Sequence, residues 1–145
     1  MIALLQRVTE ASVTVDGEHV GAIGPGVVAL VGVLRDDTEA RARRLADRIL
    51  GYRLFEDPAG RMNRSLLDVA GGLLLVPQFT LAADTRKGMR ASFTPAADPE
   101  TGRGLFEYLV EQVRPRCPRV ATGRFGAHMR VSLVNDGPVT FWIEG

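Results

Sequence analysis

The sequence predicts an α/β chain in which curled β-sheets form a partial barrel with two helices packed on one side. Three observations carry this prediction. Apolar, β-branched runs at residues 2–15, 27–34 and 72–81 read as strands. Two segments with capping residues and helical apolar spacing, 39–52 and 99–114, lie between strand-rich ends. Gly, Pro, Asp and Asn clusters separate these runs without a long linker. With 145 residues, 46% hydrophobic and 24% charged, one domain over 1–145 is expected.

Each element has its own justification. Ala11-Ser12-Val13-Thr14-Val15 alternates at period two, and Asp16-Gly17-Glu18 turns the chain into a second strand, His19 to Ile23. Val27 to Leu34 is nearly unbroken apolar sequence, the pattern of a strand buried on both faces. Asp36-Asp37-Thr38 offers capping side chains for a helix from Glu39 to Tyr52, with Leu45, Ile49 and Tyr52 on one face. A short strand at Arg53–Phe55 leads to a turn at Asp57-Pro58-Ala59-Gly60. After the strand Gly72–Leu81 comes a loop, 82–98, rich in small, basic and proline residues. Asp98-Pro99-Glu100 supplies an N-cap and a first-position proline, with Leu105, Leu109, Gln112 and Val113 on one face, and Pro115 ends the helix. Strands near Arg119–Thr122 and His128–Val134 precede what turn chemistry alone reads as a hairpin at Asn135-Asp136-Gly137-Pro138.

Composition excludes several classes. No apolar run approaches the roughly 20 residues that span a bilayer. MIALLQRVTEASVTV lacks a charged segment before a long apolar one, so no signal peptide is expected. The single cysteine, Cys117, excludes an internal disulfide and fits a reducing, cytoplasmic location. Net charge is +1, which argues against indiscriminate polyanion binding. Arg41, Arg43, Arg44 and Arg48 alternate with acidic residues as on a solvated helix face, whereas Arg86, Lys87 and Arg90 sit in a loop and suit phosphate contact better.

The usual catalytic signatures are missing. No Walker sequence, dinucleotide fingerprint or zinc-ligand spacing occurs, and no metal or cofactor is expected. His19 reads as a surface residue and His128 as a structural one. What stands out is Pro77-Gln78-Phe79-Thr80-Leu81, where a proline interrupts a central strand. Such an interruption would free the backbone N–H groups of Gln78 and Phe79 to face a ligand, the elements of an oxyanion hole. Thr80 would need a base to act as nucleophile, and only Asp84 is near in sequence.

Taken together, these blocks resemble the D-aminoacyl-tRNA deacylases of bacteria and most eukaryotes, nearly end to end. LLQRVTEASVTVDGE resembles the family's N-terminal strands, and ALVGVLRDDTEARARRLADRIL with FEDPAGRMNRSLLDV its middle. LVPQFTLAADTRKGMRASF is similar to its Ser-Gln-Phe-Thr block and basic loop, and TGRFGAHMRVSLVNDGPVT to its Gly-Pro block.

The resemblance implies a homodimer with its active site at the subunit interface, acting on the aminoacylated 3′ end of tRNA. The reaction implied is hydrolysis of the ester to a D-amino acid, by water with help from the terminal ribose 2′-OH. Gln78, Phe79 and Thr80 would hold the reacting carbonyl. Gly137 and Pro138, joined by a cis peptide, would enter the other subunit's pocket and reject L side chains. Many D-amino acids would then be accepted, and glycine, including glycine mischarged on tRNA(Ala), would pass. Arg7 matches the arginine that pins this motif across the interface, and Pro77 and Met129 would support the substrate site. One departure stands out: the family usually has serine where this chain has Pro77. A related group acting on mischarged L-alanine also has proline there, but with alanine in place of the phenylalanine. Two alternatives stay open at this point: a non-catalytic RNA-binding module on the same fold, and an esterase dependent on Thr80.

Overall fold

The computed structural model describes residues 1–145. Its main sheet is built from β1 (Ile2–Val15), β2 (Glu18–Ile23), β3 (Gly26–Gly32), β6 (Gly72–Pro77), β7 (Val120–Thr122) and β8 (Arg130–Glu144). A separate small hairpin pairs β4 (Phe55–Glu56) with β5 (Met62–Arg64). The helices are α1 (Glu39–Gly51), α2 (Leu66–Val69) and α3 (Pro99–Val113). Strand order is β2-β1-β3-β6-β7, with β8 on the other side of β1.

Curling follows from how β1 is shared. Its first half pairs with β3, its second half with β2, and β8 runs antiparallel along both. The ends of the sheet then meet: a Cβ on Gly21 in β2 would lie 2.6 Å from the Thr122 carbonyl of β7. Only glycine permits that approach, and the result is a nearly closed barrel. Asp16 and Gly17 join β1 to β2 with positive φ at both positions (50° and 80°), the conformation a two-residue hairpin demands.

Two cores divide the alternating side chains of β3 and β6. Val27, Ala29, Val31, Leu73 and Leu75 face α1 and α3, where Leu45, Ile49, Leu109 and Val113 cover them. Val28, Leu74 and Val76 face the barrel interior with Val8, Ala11, Val13 and Val15 of β1. The double burial expected of residues 27–34 is therefore real. On α3 the buried face uses Phe106 and Val110 rather than Gln112, which stays half-buried.

Helix ends obey their caps. Thr38 Oγ1 accepts from the Arg41 N–H at 3.3 Å, and Asp98 Oδ1 accepts from Thr101 N–H at 3.0 Å with Pro99 beginning α3. The arginines of α1 are not merely solvated. Arg43 donates to Tyr108 Oη at 2.7 Å and Arg48 to the Glu144 carbonyl at 2.6 Å, stitching α1 to α3 and β8. The α-ammonium of Met1 is buried against Asp37 Oδ1 at 2.6 Å, while Asp37 Oδ2 accepts from Leu34 N–H.

Two expectations need correction. The strand from Gly72 stops at Pro77, and Phe79–Ala82 form a turn of 3₁₀-helix instead of continuing to Leu81. The terminal hairpin does not exist: β8 is one strand from Arg130 to Glu144, paired with β1 on both sides of a break at residues 136–139. Its register breaks where β1 advances from Val8 to Gln6 while β8 advances from Asn135 to Thr140. The surplus residues are extruded as a wide bulge carrying Asp136, Gly137 and Pro138.

Candidate active site

The first half of the site grows from the end of β6. In a parallel ladder, successive N–H groups point alternately to the two neighbouring strands. Gln78 N–H points to β3 and donates to the Val31 carbonyl at 2.7 Å. The expectation that this group is free is therefore wrong. The 3₁₀ turn that follows leaves other donors: its first internal bond runs from Leu81 N–H to the Gln78 carbonyl at 3.3 Å. Phe79 and Thr80 precede that bond, so their N–H groups have no acceptor within the turn. The Phe79 ring is 61% exposed and leans on Phe93, centroids 5.2 Å apart.

Around Thr80 there is no activating base. Its hydroxyl is hydrogen-bonded by the Gln78 side-chain amide. Asp84 is committed elsewhere: Arg86 forks onto it from Nε at 2.9 Å and Nη2 at 2.8 Å, and Arg86 N–H adds a third bond. The Arg86 guanidinium holds the Asp84 carboxyl down to about 2, from 3.8. A carboxylate so depressed is a poor proton acceptor. His19 and His128 are both exposed, the latter contrary to expectation, and no group of three or more His, Cys, Asp or Glu gathers to hold a metal.

This fork also sorts the basic loop. Asp84 and Ser92 exchange backbone hydrogen bonds at 2.8 and 2.9 Å, closing a loop whose tip carries Lys87, Met89 and Arg90 in solvent. Arg86 is the loop's internal clasp, while Lys87 and Arg90 form no ion pair. Because the Asp84 pKa is depressed on folding, the clasp contributes fully above pH 3.8 and is lost as pH falls through about 2. A carboxyl NMR titration is expected to place Asp84 near about 2, and Arg86→Ala to return it toward 3.8.

The β8 bulge is the second half. Arg7, 9% exposed, reaches under it: Nε donates to the Asp136 carbonyl at 3.1 Å and Nη1 to the Leu54 carbonyl at 3.0 Å. The resemblance implied that this arginine acts across an interface; here it holds the bulge of its own chain. Asn135 adds a second tether, its Nδ2 donating to the carbonyls of Arg7 at 2.8 Å and Val139 at 2.9 Å. The Gly137–Pro138 peptide is cis and both residues are exposed. Gly137 has φ +132°, and a Cβ there would lie 2.7 Å from Val139 Cγ2.

Met129 and Pro77 meet at Gly123, where a Cβ would sit 2.7 Å from Met129 Sδ and 3.4 Å from Pro77 Cδ. They line the same end of β6 as Gln78. No strand pairing or side-chain hydrogen bond joins the Phe79–Thr80 turn to the Gly137–Pro138 bulge within the chain. Sequence reasoning missed the tether made by Asn135, the clasp of Asp84 with Arg86 and the close packing at Gly123. Asp84 had a readable signal, an Asp two residues before an Arg, the spacing of a side chain folded back on the turn.

Comparison with known proteins agrees with this architecture. Residues 4–144 match the family model described as D-Tyr-tRNA(Tyr) deacylase. The chain is 75% identical over 144 residues to the D-aminoacyl-tRNA deacylase of Thioalkalivibrio sulfidiphilus (strain HL-EbGR7), covering 99% of this chain and 97% of that one. It is 65% identical to the D-aminoacyl-tRNA deacylase of Alkalilimnicola ehrlichii (strain ATCC BAA-1101 / DSM 17681 / MLHE-1), with 99% and 96% covered. A solved structure titled c-Myc DNA unwinding element binding protein superposes with TM-score 0.95 at 40% identity, covering 100% and 99%. Another, described as a probable eukaryotic D-amino acid tRNA deacylase, shares the fold with TM-score 0.85 at 20% identity, covering 99% and 98%. The chain belongs to the D-Tyr-tRNA(Tyr) deacylase family.

Proposed function

We propose that this chain is an ester hydrolase that removes D-amino acids from tRNA, releasing free amino acid and tRNA. One observation carries the reading beyond family membership: the exposed Phe79–Thr80 turn offers backbone donors but no acid–base side chain. An aminoacyl ester is already activated. Donors aimed at the developing oxyanion are worth about 100- to 1,000-fold each, so a site of this kind can act without a triad. Water attacks the carbonyl, with the ribose 2′-OH of the terminal adenosine assisting.

Stereoselectivity comes from the Gly137–Pro138 bulge of a second copy. Tethered by Arg7 and Asn135, it projects as a rigid prong. Backbone placed against the substrate's α-carbon leaves no room for an L side chain, while a D side chain points to solvent. Glycine, having none, passes. A homodimer is supported by the absence of any strand pairing or side-chain hydrogen bond between the two half-sites within one chain. It is also supported by the unpaired outer edge of β8, which exposes Val131, Val134 and Trp142. Lys87 and Arg90, exposed on the loop that carries Phe93, suit the RNA backbone, and the enzyme works in the cytoplasm, where its substrate is made. No helix is long and apolar enough to cross a membrane.

Release of D-tyrosine from D-Tyr-tRNA, with L-Tyr-tRNA and a simple ester as controls, tests this. Turnover of the D substrate alone is expected; none at all would refute it. Thr80→Ala should lose about 10-fold at most, since its hydroxyl serves the turn and not the bond made. A trappable acyl-enzyme abolished by that substitution would instead make Thr80 the nucleophile. The similar structure titled for DNA binding favours a second reading, nucleic-acid binding without catalysis. Tight binding of the tRNA with no ester cleavage would select it.

A further inference from the structure

Pro77 ends a ladder one rung early. Between β6 and β7, Leu73 N–H donates to the Arg119 carbonyl at 2.8 Å, and Gly123 N–H to the Leu75 carbonyl at 2.9 Å. With Leu75 opposite Thr122, the next rung would run from the N–H of residue 77 to the carbonyl of Gly123. Proline has no N–H. No backbone or side-chain donor within the chain takes its place on that carbonyl. The Gly123 oxygen is thus an unpaired acceptor on a half-buried residue, one whose Cβ position abuts Met129 Sδ and the Pro77 ring at the end of β6.

We propose that the Gly123 carbonyl, released by Pro77, accepts a hydrogen bond from the aminoacyl-ribose end of the substrate. The inference rests on the deacylase reading above. Two groups at that end donate: the α-ammonium, whose bond would be charge-assisted, and the ribose 2′-OH. A chain with serine or alanine at position 77 would spend the same carbonyl on its own sheet, so the acceptor belongs to chains with proline there. It is a positioning contact, engaged already in the bound ground state, and therefore affects KM more than kcat.

The test compares wild type with Pro77→Ala and Pro77→Ser, both of which restore the N–H. Hydrogen exchange at the residue-77 amide should show protection, because the rung to Gly123 closes. KM for D-Tyr-tRNA should rise about 10-fold with kcat changed little. The same comparison on tRNA carrying the des-amino acyl group, and on tRNA ending in 2′-deoxyadenosine, identifies the donor. The wild-type advantage disappears with whichever substrate lacks it. Three outcomes overturn the inference: an unprotected amide, an unchanged KM in both variants, or an advantage that survives both analogues. Wild type inactive on D-Tyr-tRNA would refute the deacylase reading itself, a distinct result.

Discussion

Gly137→Ala is expected to lower kcat/KM on D-Tyr-tRNA by about 100-fold and to erode discrimination against L-Tyr-tRNA. The backbone there has φ +132°, a conformation that side-chain-bearing residues rarely adopt. The new Cβ would also lie 2.7 Å from Val139 Cγ2, 3.0 Å from Val139 N and 3.3 Å from Arg7 Nη2. Val139 is buried and cannot retreat, so the bulge must move. A displacement near 1 Å at a positioning element costs on the order of 100-fold. Global stability should suffer less, because the residue is exposed and the sheet on either side keeps its pairing. Single-turnover deacylation of both stereoisomers, beside a melting curve, checks all three points. A variant with wild-type kcat/KM and an intact D/L ratio would remove Gly137 from the site.

Arg7→Met should cost about 3 kcal/mol of stability, roughly 10 °C in Tm, and most of the activity. The substituted side chain fills similar space but leaves the Leu54 carbonyl buried without its donor and the Asp136 carbonyl untethered. Asp136→Asn is the contrasting control. The Asp136 side chain is 52% exposed and 3.4 Å from Arg7 Nε, while the stronger tie is to its backbone oxygen. That substitution should change stability by less than about 1 kcal/mol. Thermal melts of both proteins, read with the deacylation rate, separate anchoring through the carbonyl from anchoring through the charge. Equal losses in the two would mean that the ion pair carries the anchor.

Much of the fold is legible in the residues because the governing interactions are local or compositional. Residues 27–34 have no polar side chain to place on either face before Arg35, so double burial follows. The Asp16-Gly17 turn was readable because few residue pairs accept positive φ twice. The short strand expected at Arg53–Phe55 lies at Phe55–Glu56 as β4, but its partner β5 was missed because Met62-Asn63-Arg64 is short and wholly exposed, without alternation. α2 had a signal that went unused, the Ser65…Asp68 capping box.

The site was harder for a different reason. Turn chemistry reads Asn135–Pro138 from its own residues, but whether a chain reverses or bulges depends on its partner strand, here β1. No local pattern carries that information. Likewise, Pro77 was correctly taken to open the ladder, but which side opens depends on strand order. The open side faces β7 at Gly123, whereas Gln78 N–H remains paired with β3.

The long β1–β8 pairing also sets the order in which competence is acquired. Arg7 and Asp136 lie 129 positions apart, so the prong has no anchor until almost the whole chain has been synthesised. Contacts this distant form late and slowly. Before then β1 presents a bare edge that invites pairing with the wrong chain. A fragment that stops short of β8 should therefore be both inactive and aggregation-prone. On the proposed function, the stereochemical check becomes available only once the sheet has closed on its last strand, which ties chiral selection to completion of the chain.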